Sequence, residues 1–375
     1  MPRKLSMSSA DLDASDLEAV TEVVRSGHLA LGPYTEKLET ALALRLGVAH
    51  AVAVNSGTSA LHLIVKALRI GPGDEVLVPS FTFAASVNVI LYENAIPVFV
   101  DVEPETLNLC LRDLERKITP RTRAIMAVDV FGHPAEWDGI LDLARRHGLR
   151  VIDDSCEALG AEYRGKPLGG FGDAAAFAFY PNKQITTGEG GALVTDDAGI
   201  AELARSLRNQ GRSAMGTWLS HEFLGYNYRM DQMSAALGVS QLRRLDTFLE
   251  RREAVARLYT TALAGLDAVE APRVLSHVRM SWFVYVARLA EGLDRDPVMT
   301  DMESQGVPVR GYFAPVHLQP YIRQRFGDLR GTLAVTEAAA RRAVALPFHN
   351  RLNEEEVERV VRALAEAVGR AHVAG

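Results

Sequence analysis

The chain has 375 residues, 48% hydrophobic and 23% charged, an ordinary globular composition that excludes a disordered or fibrous protein. That length is enough for one large core and a second, smaller one. The formal charge of −6, with no basic run, leaves little attraction for a polyphosphate backbone, so nucleic acid is not an expected partner.

At the amino end, Met1-Pro2-Arg3-Lys4 is followed by Asp11, Asp13 and Asp16 rather than by the apolar core of an export signal. Cys110 and Cys156 form no CxxC pair, and so few thiols suit a reducing compartment. A cytoplasmic protein is expected, with no metal site. Between Ala51 and Val194 short apolar runs alternate with helical patterns, as in βα units stacked into a mainly parallel sheet. The expected strands are 51–54, 75–78, 97–102, 124–128, 149–153, 174–179 and 192–195. Helices are expected over 58–68, 84–92 and 135–146, the last after the breaker Gly132-His133-Pro134. The uncharged stretch 76–92 carries Pro79, Ser80, Thr82, Ser86 and Asn88. It falls short of the roughly 20 apolar residues of a membrane span, so no membrane partner is expected.

After about Met230 the pattern turns helical, with 232–265 long enough to leave the sheet and enter a second domain. A strand over 281–289 follows, then helices near 297–305, 333–343 and 354–371. The expected architecture is a large α/β domain with an N-terminal arm over 1–245 and a smaller C-terminal α+β domain over 246–375. No internal repeat is visible.

Three places could carry chemistry. Asn55-Ser56-Gly57-Thr58-Ser59-Ala60-Leu61 is a polar, glycine-containing turn between a strand and a helix. It reads either as a plain helix cap or as a phosphate cradle, where free N–H groups meet the positive end of the helix dipole. Val151-Ile152-Asp153-Asp154 is an apolar strand ending in two carboxylates. Strand alternation sends them to opposite faces, so one faces a ligand crevice or both simply cap a turn. Lys183, in Phe179-Tyr180-Pro181-Asn182-Lys183-Gln184, is one of only six lysines. It is either a snorkelling surface residue or an amine desolvated for nucleophilic work.

A phosphate cradle, a carboxylate at a strand tip and a desolvated lysine are the parts of a pyridoxal 5'-phosphate site. The lysine forms the Schiff base, the phosphate anchors the ring, and the carboxylate keeps the pyridine nitrogen protonated. Phe83 reads either as a core aromatic or as the surface on which the ring stacks.

These segments, in order, make the chain resemble the DegT/DnrJ/StrS family of nucleotide-sugar aminotransferases, which are fold type I pyridoxal-phosphate enzymes. The likeness runs from Gly32-Pro33 through Pro79-Ser80-Phe81-Thr82-Phe83, Asp153-Asp154, Lys183, Gly188-Glu189-Gly190-Gly191 and Gly225-Tyr226-Asn227-Tyr228-Arg229-Met230 to Pro315-Val316-His317-Leu318-Gln319-Pro320. The resemblance implies that Lys183 carries the cofactor, Asp154 meets the pyridine nitrogen, and Gly57, Thr58 and Ser59 hold the phosphate. It implies Phe83 against the ring and Asn227 reaching the phosphate of a neighbouring subunit, hence an obligate homodimer with shared sites. Two positions depart from the family pattern. Ala178 stands where many members have a hydroxyl, and Glu157 where many have glutamine near the cofactor's phenolic oxygen.

The implied reaction moves an amino group from L-glutamate to a keto carbon of a nucleotide-diphosphate 4-keto-6-deoxy sugar. Ile185 to Gly191 looks more like members that aminate C4. His317 and Tyr312 are either sugar-facing or structural. The stretch Asp154 to Gly160 also resembles the sugar 3-dehydratases, which have histidine at the lysine position, and Lys183 argues against that alternative. A silent regulator that keeps the fold is the other; an intact lysine and aspartate speak against it.

Overall fold

The computed structural model describes residues 5–212 and 220–374; Met1 to Lys4, used above for targeting, lie outside them. Helix α1 (Ala14–Ser26) begins with a reciprocal cap, in which the Asp13 side chain accepts from Ser15 N and Asp16 accepts from Asp13 N. Helix α2 (Pro33–Leu46) has proline at its first position, where no intrahelical donor is lost. The chain then alternates through β1 (His50–Val54), α3 (Gly57–Ala67), β2 (Glu75–Pro79), α4 (Ala85–Tyr92), β3 (Ile96–Val100), α5 (Leu111–Arg116), β4 (Thr122–Val128), α6 (Trp137–His147) and β5 (Arg150–Asp154). Two short strands, β6 (Glu162–Tyr163) and β7 (Lys166–Pro167), precede β8 (Ala174–Ala178), β9 (Gly191–Thr195) and α7 (Ala198–Arg208).

All seven strands expected from the sequence lie in one sheet, ordered β1-β9-β8-β5-β4-β2-β3. β2, β3, β4, β5 and β8 are parallel, and β9 runs antiparallel to β1 and β8. Alternation sorts the apolar residues onto two covered faces. Val52, Val76 and Ile152 pack beneath α3, α4 and α7. Ala53 and Phe177 pack beneath α2, and Leu77 and Ile125 beneath α6. The result is a mainly parallel sheet sandwiched by helices, the fold type I architecture.

The remaining elements are α8 (Gln232–Leu242), α9 (Leu245–Leu263), β10 (Val269–Glu270), β11 (Val278–Arg279), β12 (Tyr285–Leu289), α10 (Arg295–Ser304), α11 (Pro320–Phe326), α12 (Ala334–Arg342), β13 (Ala343–Leu346) and α13 (Glu354–Ala374). β10, β12 and β13 form an antiparallel sheet whose core includes Tyr259, Tyr285, Val298 and Leu364.

Two expectations are corrected. The run 232–265 is two helices, because Arg244 leaves helical geometry at φ −105, ψ 5. The break lets α8 pack on α1 and α2 while α9 packs on α13. The strand expected over 281–289 begins only at Tyr285, since Trp282 takes a left-handed φ of 55. Ser281 N and Phe283 N donate instead to Gly132 O and Phe131 O, at 3.0 and 3.1 Å. That diversion carries Phe283 to the tips of the large sheet.

Candidate active site

The carboxyl ends of β4, β5 and β8 and the first turn of α3 surround a cavity of about 520 Å³. Because β9 runs the opposite way, its amino end lies beside the carboxyl ends of β1 and β8, where Gly191 pairs with both Val54 and Ala178. Ser56 caps α3 by accepting from Ser59 N at 3.1 Å. The N–H groups of Gly57 and Thr58 have no intrahelical acceptor and are available to an anion. A Cβ on Gly57 would lie 2.7 Å from Ala178 Cβ and 2.8 Å from Cys156 Sγ, so only glycine lets the turn close on β8. Gly57→Ala is therefore expected to cost about 1–3 kcal/mol through overpacking. Thermal melting together with equilibrium binding of pyridoxal phosphate checks it; unchanged melting and affinity would show that the contact is not tight.

Thr58 lines the cavity. Ser59 does not: its hydroxyl donates to Asn55 Oδ1 at 2.7 Å and is turned back into the cap.

Strand alternation separates the two aspartates as anticipated. Asp154 faces the cavity, where Oδ2 accepts from Ser86 Oγ at 2.6 Å and Oδ1 from Cys156 N at 3.2 Å. Ser86 in turn pairs with Thr82 Oγ1 at 2.9 Å, so the start of α4 holds the carboxylate in place. Asp153 points the other way, fully buried, into a cluster with Asp129 and Ser155. Burial pushes the Asp129 carboxyl up to about 6 and raises Asp153 well above the carboxylate range. Burial and their mutual repulsion both disfavour charge on the two carboxylates at once.

Such groups favour the folded state only while protonated. Their contribution is therefore lost as pH climbs from the unfolded value of 3.8 through the folded value of about 6 for Asp129. Asp153→Asn removes one of the two buried ionisable groups while keeping the side chain's shape. The variant is expected to melt higher than the parent above pH 7 and to lose much of the decline between about pH 4 and 7. Parallel melting curves for the two proteins would rule this account out.

Lys183 lies in the turn after β8, with a side chain 13% exposed. Its Nζ sits 3.8 Å from the centre of the Phe283 ring and 3.8 Å from Glu157 Oε1. Its backbone oxygen accepts from Arg252 Nη2 at 2.9 Å, while Arg252 Nη1 donates to the carbonyls of Trp282 and Phe283. One buried guanidinium thus ties the lysine turn to the aromatic floor beneath its amine. Burial brings that guanidinium down to about 10. Glu157 is buried, accepts from Phe131 N at 2.8 Å, and has its pKa raised by burial against the opposing pull of Lys183.

Phe83 lines the cavity and is 64% exposed; Tyr312 also lines it, stacked near Phe131 and Phe313. Two further residues lie outside this chain's cavity. His317 is wholly buried, with Nδ1 2.6 Å from Ser80 Oγ and Nε2 3.2 Å from Glu337 Oε1; it joins the end of β2 to α12 and lines no part of the cavity. Asn227 is exposed and outside the cavity, paired through its backbone with Asn209.

The profile of the DegT/DnrJ/EryC1/StrS aminotransferase family matches residues 10–365. The chain belongs to that family. It is 42% identical over 373 residues to GDP-perosamine synthase of Caulobacter vibrioides, covering 98% of this chain and 99% of that one. It is 38% identical to dTDP-3-amino-3,4,6-trideoxy-alpha-D-glucose transaminase of Streptomyces venezuelae, covering 95% and 93%. The crystal structure of S. venezuelae DesV, captured with a ketimine intermediate, superposes with a TM-score of 0.88 at 38% identity over 94% of each chain.

This DegT-family aminotransferase is pyridoxal-phosphate dependent. Its residues fit the group. The α3 turn offers N–H donors, and the Asp154 carboxylate is fixed in the cavity. Asn182 Oδ1, of a residue lining the cavity, is buried without a hydrogen-bond partner among the described residues. Ser86, Thr82, Phe283 and Arg252 escaped the sequence reading. Ser86 had a faint signal, four residues after Thr82 at a helix start; Phe283 and Arg252 had none.

Proposed function

We propose that this aminotransferase moves an amino group from L-glutamate to C4 of a nucleotide-diphosphate 4-keto-6-deoxy sugar. The observation that carries the reading is the convergence of Lys183 Nζ, the Asp154 carboxylate and the amino end of α3 on one cavity. When bound, pyridoxal phosphate supplies a reactive carbonyl and an electron-accepting ring. Gly57 and Thr58 would hold its phosphate, Asp154 a proton at its pyridine nitrogen, and Phe83 its face. Lys183 would serve as base and then acid, moving a proton between the two carbons that flank the transferred nitrogen. Its tether beside those carbons makes the transfer effectively intramolecular. The Phe283 ring, 3.8 Å from Nζ, shields one side of the amine from water.

The described cavity lining carries one cation, Lys183, against Asp154, Glu157 and Glu189. A sugar nucleotide and a dicarboxylate donor bring more negative charge than that cation can meet. Further positive groups must therefore come from outside this chain's cavity. Together with the exposed position of Asn227, this supports a homodimer in which segment 225–230 completes the neighbour's site. The 42% relative is named for a GDP-linked product, so a GDP-linked keto sugar leads the test panel.

The test is incubation with L-glutamate and a set of keto-sugar nucleotides, with NMR of the products. The expected result is a C4 amino sugar and 2-oxoglutarate. A C3 product would overturn the regiochemistry. Deoxygenation without nitrogen transfer would favour the dehydratase, and failure of every amino donor the silent regulator.

A further inference from the structure

Glu157 sits on the cavity wall between Lys183 and the turn at Phe131. Its Oε2 is fixed by the Phe131 N–H, while Oε1 faces Lys183 Nζ at 3.8 Å. That gap is longer than a hydrogen bond, but both side chains are largely buried, where charge interactions are stronger than in bulk water. The other titratable groups facing Glu157 are Asp154 at the tip of β5, Cys156 beside it in the chain, and Tyr312 from the 310–313 loop. Of these side chains only Lys183 favours a charged Glu157; Asp154 opposes it.

The charge on Glu157 is thus conditional on the lysine ammonium. An amine must be neutral before it can attack a carbonyl or take a proton from carbon. Were Lys183 to lose its charge alone, a buried carboxylate would be stranded without a counter-ion, which folded proteins avoid by protonating it. Asp154 is a poorer recipient, since both its oxygens already accept hydrogen bonds.

We propose that Glu157 is the proton store for Lys183: as the amine becomes neutral ahead of attack on a carbonyl, the proton leaves Nζ and settles on Glu157 Oε1, and the neutral amine can then condense with the carbonyl, whose oxygen departs as water. One N–H bond breaks and one O–H bond forms, so the buried ion pair becomes a neutral pair with no charge left over. When the amine is released, the proton returns. The inference rests on the reading of Lys183 as the carbonyl-binding amine.

Infrared difference spectroscopy tests it. Adding pyridoxal phosphate to the wild-type protein is expected to produce a protonated-carboxyl band that shifts in heavy water. Glu157→Gln, which keeps the shape and an acceptor for Phe131 N–H, should lack that band. A second arm needs no cofactor. In Lys183→Met the same band should already be present at neutral pH, with its titration midpoint about 1–3 pH units above that of the wild type. It should vanish in the double variant with Glu157→Gln. Lack of the band in both arms, or its survival in Glu157→Gln, overturns the proposal. If wild-type protein gives no absorbance change with pyridoxal phosphate, the reading of Lys183 fails, and the Lys183→Met arm still decides the state of Glu157.

Discussion

Lys183→Ala is expected to lower amino transfer about 100- to 10,000-fold, the range a positioned acid and base contributes to a proton shift. The amine is fixed from two sides. Arg252 holds its carbonyl, and the Phe283 ring lies 3.8 Å below its nitrogen. No other lysine or arginine among the described residues lines the cavity, so no second amine can take over the role. A dissolved amine can reach the same carbon but lacks the tethered group's effective concentration, about 10⁵ M or more. Added methylamine should therefore restore only part of the lost rate. The measurement is the half-reaction with L-glutamate, followed by the cofactor's absorbance, with thermal melting to show that the variant is folded. A folded variant retaining rates within tenfold of wild type would mean that another group moves the proton, and the assignment of Lys183 would fall.

The residues legible in the sequence were those whose chemistry depends on near neighbours. The seven strands were readable because both faces of the sheet are covered, which demands continuous apolar runs such as Val76 to Val78. The start of α3 was readable because Ser56, Gly57 and Thr58 carry their own capping signal. The pair Asp153-Asp154 left open whether one carboxylate faces a ligand or both cap a turn; the resemblance pointed to Asp154, and the register of β5 turns that side chain to the cavity. What was not legible comes from far along the chain. Phe283 reaches Lys183 because Trp282 breaks the expected strand, and Arg252 reaches it because α9 turns away at Arg244. Neither event has a periodic signature. His317 illustrates the converse: a motif histidine whose two ring nitrogens are satisfied by Ser80 and Glu337 is a bolt between elements, and no local pattern separates that from a ligand contact. The backward turn of Ser59 is likewise settled by Asn55, a partner four residues away whose geometry composition does not encode.

Asp154→Asn isolates the charge at the strand tip from its shape. Asparagine has the same outline and keeps an oxygen for the Ser86 hydroxyl, now 2.6 Å from Asp154 Oδ2, so the fold and the cavity should survive. What disappears is the negative charge that holds a proton on the pyridine nitrogen. An opposite charge within a few ångströms is worth about 1–3 pKa units to the group it faces, so the rate should fall about 10- to 1,000-fold at neutral pH. The direction with pH separates this cause from a packing defect. Without the carboxylate the ring nitrogen must draw its proton from solvent, so the variant's deficit should shrink as pH falls and widen as it rises. Ser86→Ala offers the contrast: it keeps the charge, loses one hydrogen bond to it, and leaves the buried carboxylate less well satisfied. Its cost, about 1.5–3 kcal/mol, should appear with little dependence on pH. Single-turnover rates with L-glutamate across pH 6–9 distinguish the two. A pH-independent loss in Asp154→Asn would show that the carboxylate positions the ring without controlling its proton.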